Sequence, residues 1–340
     1  MAEADVHASA APIRFRGGLI DRAIGRLERL PSSAALWIIV AGLVLELVAH
    51  AASWIAGETP FGEARPELLF PIPFLVFFLI LITVLDGVAS SAYQEFRVSL
   101  DTTFEESERL GTDLNSIPDI PALIAVLFWT LVLNGVGQDA GEPAVTGTIL
   151  AAFWFLANAA LALLIVHTLR QLRQVARLQA MVARVNLLDP GPINAFSRLT
   201  AATAAAILSI GVIFAVVGVS QESSIDLGVE AMFGGIAAAF FFLPLRGMHS
   251  RLVAERGRLL GGANARLQLI VDRIHRMIDA DDLARVDELQ KAQASLLAER
   301  DLYLHLSTWP WSTITFRGLA SAVMLPIFIG IVLRLLTHVI

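Results

Sequence analysis

Blocks of mostly apolar residues are the feature that most constrains this chain, and each block is about 17–25 residues long. An α-helix of that length crosses roughly 30 Å of hydrocarbon. Backbone amides in hydrocarbon must be satisfied within their own segment, and none of the blocks alternates as a membrane β-strand does, so the blocks predict helices. The seven blocks are 33–56, 68–90, 120–137, 145–168, 199–219, 227–245 and 314–336.

The composition agrees with a membrane protein, since 56% of the 340 residues are hydrophobic and only 16% are charged. We therefore predict an all-α fold, a polytopic helical membrane protein with about seven transmembrane helices and a cytoplasmic helical hairpin. The predicted parts are a cytoplasmic basic N-terminal segment at 1–32, a six-span region at 33–245 with cytoplasmic helices near 91–119 and 169–198, the antiparallel hairpin at 246–310, and the seventh transmembrane helix at 311–340.

The arginines predict the orientation, because basic residues in short loops stay in the cytoplasm. If the N-terminus is inside, all of the 25 basic residues except Arg65 and Arg334 fall on the cytoplasmic side, so we expect the C-terminus outside. Heavy use of alanine and arginine with a single lysine is typical of a GC-rich bacterial genome, and the expected location is the bacterial cytoplasmic (inner) membrane. The inward-facing basic residues predict contact with anionic lipid headgroups and argue against a nucleic-acid partner.

Residues 246–310 have the pattern of two helices outside the membrane. The first carries an apolar seam with alternating steps of three and four, which is typical of a coiled coil. Residues 246–278 hold seven basic and two acidic residues (net +5), and residues 279–308 hold three basic and seven acidic ones (net −4), which favours an antiparallel hairpin. The sequence leaves open whether the hairpin closes within one chain or pairs with another copy. We expect a homo-oligomer, and the hairpin is also where a cytoplasmic protein would dock.

Trp309, Pro310 and Trp311 separate the hairpin from the last apolar block. Indole rings prefer the headgroup region, so the two tryptophans predict the inner membrane interface, and the proline ends the second arm of the hairpin. Pro326, near the middle of the last span, predicts a kink. The segment is interpreted either as a hinge that couples the hairpin to the membrane or as an inert helix boundary.

Polar residues inside the spans are the candidates for function, because burying them in hydrocarbon is costly. Four are predicted to lie in the outer half of the membrane and to form a permeation or proton-responsive element: Glu46, His50, Asn134 and Glu230. Glu46 and His50 are four residues apart, so both project from one helix face and can share a proton. Asp86 and His167 are expected near the inner ends of their spans. The alternative for Glu46 is a hydrogen bond to a neighbouring helix that only fixes packing.

Missing features exclude several function classes. The chain has no cysteine, which excludes disulfides and thiolate metal sites, and its one lysine, Lys291, lies outside the spans, which excludes a retinal Schiff base. Nucleotide-binding glycine patterns and metalloprotease motifs are absent, and we predict no enzyme activity, no metal and no cofactor. A weaker alternative is haem b held by His50 and His338, whose predicted depths match.

Two hypotheses about function remain. The first is a channel or transporter for an ion or small solute, with the hairpin as a gate or assembly domain. The second is a non-transporting membrane scaffold or sensor subunit whose hairpin docks a cytoplasmic partner. Glu46 and the kinked last span favour the first hypothesis. The small number of charges in the spans and the lack of a visible repeat between the two halves, which many carriers have, favour the second.

Overall fold

The computed structural model describes residues 33–134, 144–182, 186–220, 227–281, 286–321 and 324. Within these ranges the chain is helical and has no β-strand, in agreement with the all-α prediction. The helices are α1 (Ala34–Ile55), α2 (Pro71–Phe96), α3 (Phe104–Asn115), α4 (Asp119–Asn134), α5 (Ala144–Met181), α6 (Pro190–Ser220), α7 (Leu227–Asp279) and α8 (Val286–His305). Short 3-10 helices cover Pro66–Leu69 and Arg97–Ser99.

Five helices in the described ranges are long and apolar enough to cross a membrane, which supports a helical membrane protein. They are Ala34–Ile55, Pro66–Ser99, Ala144–Met181, Pro190–Ile213 and Ala231–Asp279. The third predicted span falls on α4, and its last residues, 135–137, lie outside the described ranges. Most of the seventh lies outside the described residues. The count of seven, the orientation and the cytoplasmic hairpin therefore stay predictions.

Two prolines have different effects on the long helices. Pro190 is the first residue of α6, a position that tolerates proline because the first amides of a helix have no intrahelical partner. Pro244 lies inside α7, which continues through it for 53 residues and ends at Asp279. The sixth predicted span and the first arm of the hairpin are thus one continuous helix, and the division placed at 245–246 does not interrupt it.

The segment predicted as a cytoplasmic helix near 91–119 has more than one element. Helix α2 continues to Phe96, and a separate amphipathic helix, α3, begins after Thr103. The Thr103 side chain accepts a hydrogen bond from the Glu106 amide at 3.4 Å, as a helix N-cap does. The basic stretch near 169–198 is likewise divided between the end of α5, at Met181, and the start of α6.

The described chain divides into two compact units. Unit 1 comprises residues 33–91 and 102–174, and unit 2 comprises 92–101 and the described residues from 175 onward. In unit 1, α1 and α2 approach closely at Gly42, where an added Cβ atom would meet Val76 Cγ2. The buried apolar side chains of this unit include Ile72, Phe78, Ile82, Leu85, Leu114 and Leu164. This packing positions the polar residues described below.

Unit 2 has its own apolar core, which joins α6 and α7. The rings of Phe96 and Phe196 lie 4.6 Å apart. A second cluster contains Ala204, Leu208, Ala237, Phe241, Leu245 and Leu319. Arg251 of α7 donates to the carbonyl oxygens of Val182, Ala180 and Gln179 at 2.7, 2.8 and 3.2 Å. It therefore stabilises the last carbonyls of α5, where a cation also interacts favourably with the helix dipole.

Helices α7 and α8 contact each other within unit 2. Arg300 Nε donates to Asn264 Oδ1 at 3.0 Å, and Arg266 lies 3.8 Å from the carboxylate of Glu299. Further along, Arg256 donates to the carbonyl of Leu306 at 3.3 Å. The paired residue numbers rise on one helix as they fall on the other, so the two helices run antiparallel.

Candidate functional site

Glu46 and His50 lie on the face of α1 that packs inside unit 1, together with the buried residues Gly42, Ala49 and Ser53. His50 Nδ1 donates to the backbone carbonyl of Glu46 at 3.0 Å and is 3.4 Å from its carboxylate Oε1. Both carboxylate oxygens and His50 Nε2 are buried and have no hydrogen-bond partner among the described residues. The structure therefore holds a carboxylate and an imidazole side by side with unused capacity to bind a proton.

Asp86 and His167, 81 residues apart in sequence, meet between α2 and α5. His167 Nε2 lies 2.7 Å from Asp86 Oδ1, and Gln171 Nε2 donates to the same oxygen at 2.9 Å. His167 and Gln171 are fully buried. Within the described part of the chain, His167 Nδ1 and Gln171 Oε1 have no hydrogen-bond partner. We call these three residues the Asp86 cluster.

Two further contacts hold α3 beside the Asp86 cluster. Asn115, at the end of α3, donates to Ser90 Oγ of α2 at 2.6 Å, and Ser90 is one helical turn beyond Asp86. Arg170 of α5 donates to Ser116 Oγ at 2.9 Å. Because polar groups buried in an apolar setting hydrogen-bond strongly, these contacts fix how α2, α3 and α5 are rotated toward one another.

A third polar group, the loop-side cluster, consists of Ser53, Glu58, Thr59 and Thr146. Glu58 follows Gly57, which has a positive φ of 70° that glycine adopts at no steric cost. Its carboxylate accepts the amides of Val145 and Thr146 at 2.9 and 2.8 Å and the Thr146 hydroxyl at 2.6 Å. Glu58 thereby caps the N-terminus of α5 from a loop far away in sequence, where a negative charge also suits the helix dipole.

The cap gives Glu58 a pH-dependent effect on stability. Its hydrogen bond from the Thr146 hydroxyl, the amides of Val145 and Thr146, and the charge of Arg65 hold the pKa of Glu58 below its usual range. Because the folded-state pKa is the lower one, this stabilisation is present above the ordinary carboxyl pKa and is lost as the pH falls through the folded value. We expect Glu58→Gln to lower Tm by a few degrees near pH 7, and by less at an acidic pH below the ordinary carboxyl range, because the stabilisation by the charged carboxylate declines as the pH falls toward the lowered folded pKa.

Thermal unfolding of the detergent-solubilised protein measures this effect. Glu63→Gln is the matched control, since Glu63 is an exposed carboxylate of the same loop. Equal Tm losses for Glu58→Gln at the two pH values, or an equal loss for the control, would contradict the capping role.

Trp309 and Trp311 form an aromatic stack in unit 2. The ring centroid of Trp309 lies 3.7 Å from that of His249 and 4.2 Å from that of Trp311. The ring centroids of Trp311 and Phe241 are 5.4 Å apart. His249 Nδ1 donates to the carbonyl of Thr308 at 2.8 Å. Pro310, which separates the two tryptophans in the sequence, is buried. These contacts fasten the segment after α8 to α7, and its position at the membrane interface stays a prediction.

Several predicted site residues cannot be placed. The side chains of Asn134, in α4, and Glu230, in α7, lie outside the described residues, as do Pro326 and His338 altogether. The suggested grouping of Glu46 and His50 with Asn134 and Glu230, the kink and the haem hypothesis therefore stay predictions. Among the residues that the structure describes, no three His, Asp or Glu side chains are grouped to hold a metal ion.

Sequence reasoning did not single out the hydroxyl residues of the loop-side cluster or Gln171. Serine and threonine are common at the ends of apolar helices, so Ser53 and Thr146 carry no distinctive signal. Gln171 does have one, because it follows His167 by four residues and so lies on the same helix face. Its partner Asp86 is on another helix, which no local pattern reveals.

Comparison of the whole chain with protein-family models, with curated proteins and with solved structures gave no match.

Proposed function

We propose that the protein is a channel or transporter for an ion or small solute, in which protonation of carboxylate–imidazole pairs within the membrane controls permeation. The observation that carries this proposal is the 2.7 Å contact between Asp86 and His167, on two candidate spans. Ionisable residues inside spans are costly to bury and, in membrane proteins, mark ion pathways and proton relays.

The Asp86 cluster has the chemistry of a protonation switch. An imidazole beside a carboxylate can take up and release a proton, which changes the net charge of the pair. A neutral His167 that donates from Nε2 to Asp86 still has a lone pair on Nδ1, which is buried and free of partners within the described residues. One proton taken up there changes the net charge of the pair from −1 to 0, which alters the electrostatic field that a permeating ion meets.

Glu46 and His50 supply a second pair at another depth. Glu46 lies nine residues before the end of α1, about 14 Å along the helix, and Asp86 lies 15 residues after the start of α2, about 22 Å along it. Both helices join the same loop. Unit 1 therefore holds two titratable pairs at different distances from the loop. A proton or cation that crosses a membrane in steps needs such successive sites.

The alternative function is a non-transporting scaffold or sensor subunit. It is favoured by α8, which has no buried residue and leaves Leu297, Leu302 and Leu304 exposed. An exposed apolar surface of this kind is typical of a protein-binding site, and the partner would be either a cytoplasmic protein or another copy of this chain. In both cases the proposed location is the bacterial inner membrane, with the N-terminus inside and anionic headgroups around the basic segments.

Flux measurements in proteoliposomes separate the two functions. We expect the unsubstituted protein to pass one member of a panel of protons, monovalent cations and anions at a rate that varies between about pH 5 and 8. Asp86→Asn and Glu46→Gln keep the side-chain shape and remove the titration, so each is expected to abolish most of that pH dependence. Glu95→Gln is the control, because it removes a half-exposed ion pair with Arg198 and leaves both buried pairs intact.

A fully folded wild-type protein that passes no member of the panel would contradict permeation and favour the scaffold. Flux whose pH dependence survives in both variants would contradict the assigned role of the two pairs.

A further inference from the structure

We propose that Glu58, Thr146 and Ser53 form a proton relay that leads from the α1–α2 loop to the buried His50–Glu46 pair. The inference rests on the proposed role of that pair, and it adds the route by which the pair exchanges protons with the aqueous phase. It assigns a role to the loop-side cluster beyond capping α5.

The loop-side cluster is a continuous chain of hydrogen-bonding oxygens. Glu58 Oε2 lies 2.6 Å from Thr146 Oγ1, which lies 3.3 Å from Ser53 Oγ, and Ser53 Oγ lies 2.5 Å from Thr59 Oγ1. Thr146 is fully buried and Ser53 nearly so, whereas Glu58 is half-buried in the loop. The chain therefore begins at a carboxylate near water and ends at a hydroxyl that is shielded from it.

His50 is suited to receive the proton. Its Nδ1 faces a backbone carbonyl, which only accepts, so Nδ1 carries the hydrogen and Nε2 is the lone-pair acceptor in the neutral ring. Nε2 is buried, and none of the described residues donates to it. Ser53 lies one turn further along the same face of α1. Residues three apart on a helix have Cβ atoms about 5–6 Å apart, a gap that one hydrogen-bonded water molecule spans.

Few other titratable groups on α2, on α5 and in the loop compete for this role. Along α2 within the unit the titratable side chain is Asp86, and along α5 within the unit they are His167, Arg170 and Arg173, all in the halves remote from the loop. The loop itself adds Glu63, Arg65 and Glu67 to Glu58. Of these, Arg65 donates to the backbone carbonyl of Glu58 at 3.2 Å. The hydroxyl chain thus leads from the loop to Ser53, which lies one turn of α1 beyond His50.

The transfer balances without any other reactant. Protonated Glu58 gives its proton to Thr146 Oγ1, which passes its own proton to Ser53 Oγ. Ser53 passes a proton through water to His50 Nε2, and the imidazolium gives up the Nδ1 proton to Glu46 Oε1, 3.4 Å away. The net change is one proton moved from Glu58 to Glu46, with His50 left carrying its hydrogen on Nε2 in place of Nδ1. The imidazole has to return to the Nδ1–H tautomer before the next transfer. Each hydroxyl ends with the hydrogen count it began with and only has to rotate before the next transfer.

The test measures how fast the pair takes up a proton in the detergent-solubilised full-length protein. After a rapid drop in pH, infrared spectroscopy follows the bands of the pair, identified as those lost in Glu46→Gln and His50→Gln. We expect Thr146→Val and Ser53→Ala to slow the appearance of these bands about tenfold or more, because each removes a hydroxyl that positions the proton. The final amplitude is expected to stay unchanged, since the acceptors remain.

Two variants separate the relay from a structural effect. Thr146→Ser restores a hydroxyl and is expected to restore the rate. Thr148→Val is the matched control, because the exposed Thr148 bonds only the carbonyl of Ala144 within its own helix. Wild-type rates in folded Thr146→Val and Ser53→Ala, equal slowing in Thr148→Val, or the absence of any such band in the unsubstituted protein would each overturn the relay.

Because this experiment follows protonation and not flux, its outcome is distinguishable from a failure of the proposed function. Absence of flux contradicts permeation and leaves the infrared rates unchanged. Unchanged infrared rates contradict the relay and leave the flux result as it stands.

Discussion

Asp86→Ala is expected to lower the free energy of unfolding by about 3 kcal/mol, because breaking a buried polar network by removing one partner leaves the other members unpaired. His167 Nε2 and Gln171 Nε2 both use Asp86 Oδ1, and both side chains are fully buried. Without the carboxylate, two donors lose their partner in an apolar surrounding, where each unpaired group costs about 1–3 kcal/mol. The expected result is a clear drop in Tm and in the midpoint of denaturant unfolding of the solubilised protein.

The matched comparison is Glu95→Ala, which removes an ion pair with Arg198 in which both side chains are half-exposed. Exposed pairs contribute only about 0–1 kcal/mol, so this variant is expected to unfold close to the wild type. Asp86→Asn keeps an acceptor oxygen and is expected to fall between the two. An Asp86→Ala protein as stable as the Glu95→Ala protein would show that the contact contributes nothing to folding.

Gly42→Leu is expected to destabilise unit 1 by about 2–3 kcal/mol through overpacking. A Cβ atom built at Gly42 would overlap Val76 Cγ2 and lie 3.6 Å from Ile72 Cγ2, so a leucine there would force the Val76 side chain or the two helices to shift. Small residues permit such close helix contacts within membranes. Separation of the helices would also disturb Glu46, which lies one turn beyond Gly42, so pH-dependent flux is expected to weaken together with Tm.

Gly87→Leu provides the control on the opposing helix. Gly87 is exposed on α2, and an added Cβ atom meets nothing within 4 Å. Replacing it is expected to leave Tm unchanged or to raise it slightly, because glycine is a poor helix former, by about 1 kcal/mol relative to alanine. Equal losses in the two variants would mean that the close approach at Gly42 does not limit the packing.

Local patterns account for much of what the sequence predicts. Glu46 and His50 are neighbours because a helix places residues four apart on one face, whatever surrounds it. Helix α7 ends at Asp279, where a cluster of aspartates in the sequence offers no apolar side chain to bury. Pro244 is a position where the local pattern gives the wrong expectation. Proline inside a helix usually kinks or ends it, whereas α7 continues past Pro244.

The sequence by itself determined that this chain forms helices long and apolar enough to span a membrane, because helix formation satisfies the backbone within each segment and depends on local composition. Only the tertiary structure decided which polar groups meet. Asp86 reaches His167, and Glu58 reaches Thr146, because the rotation and register of packed helices place them together. That rotation depends on close contacts such as Gly42 against Val76, between residues far apart in sequence, which no pattern within a single segment encodes.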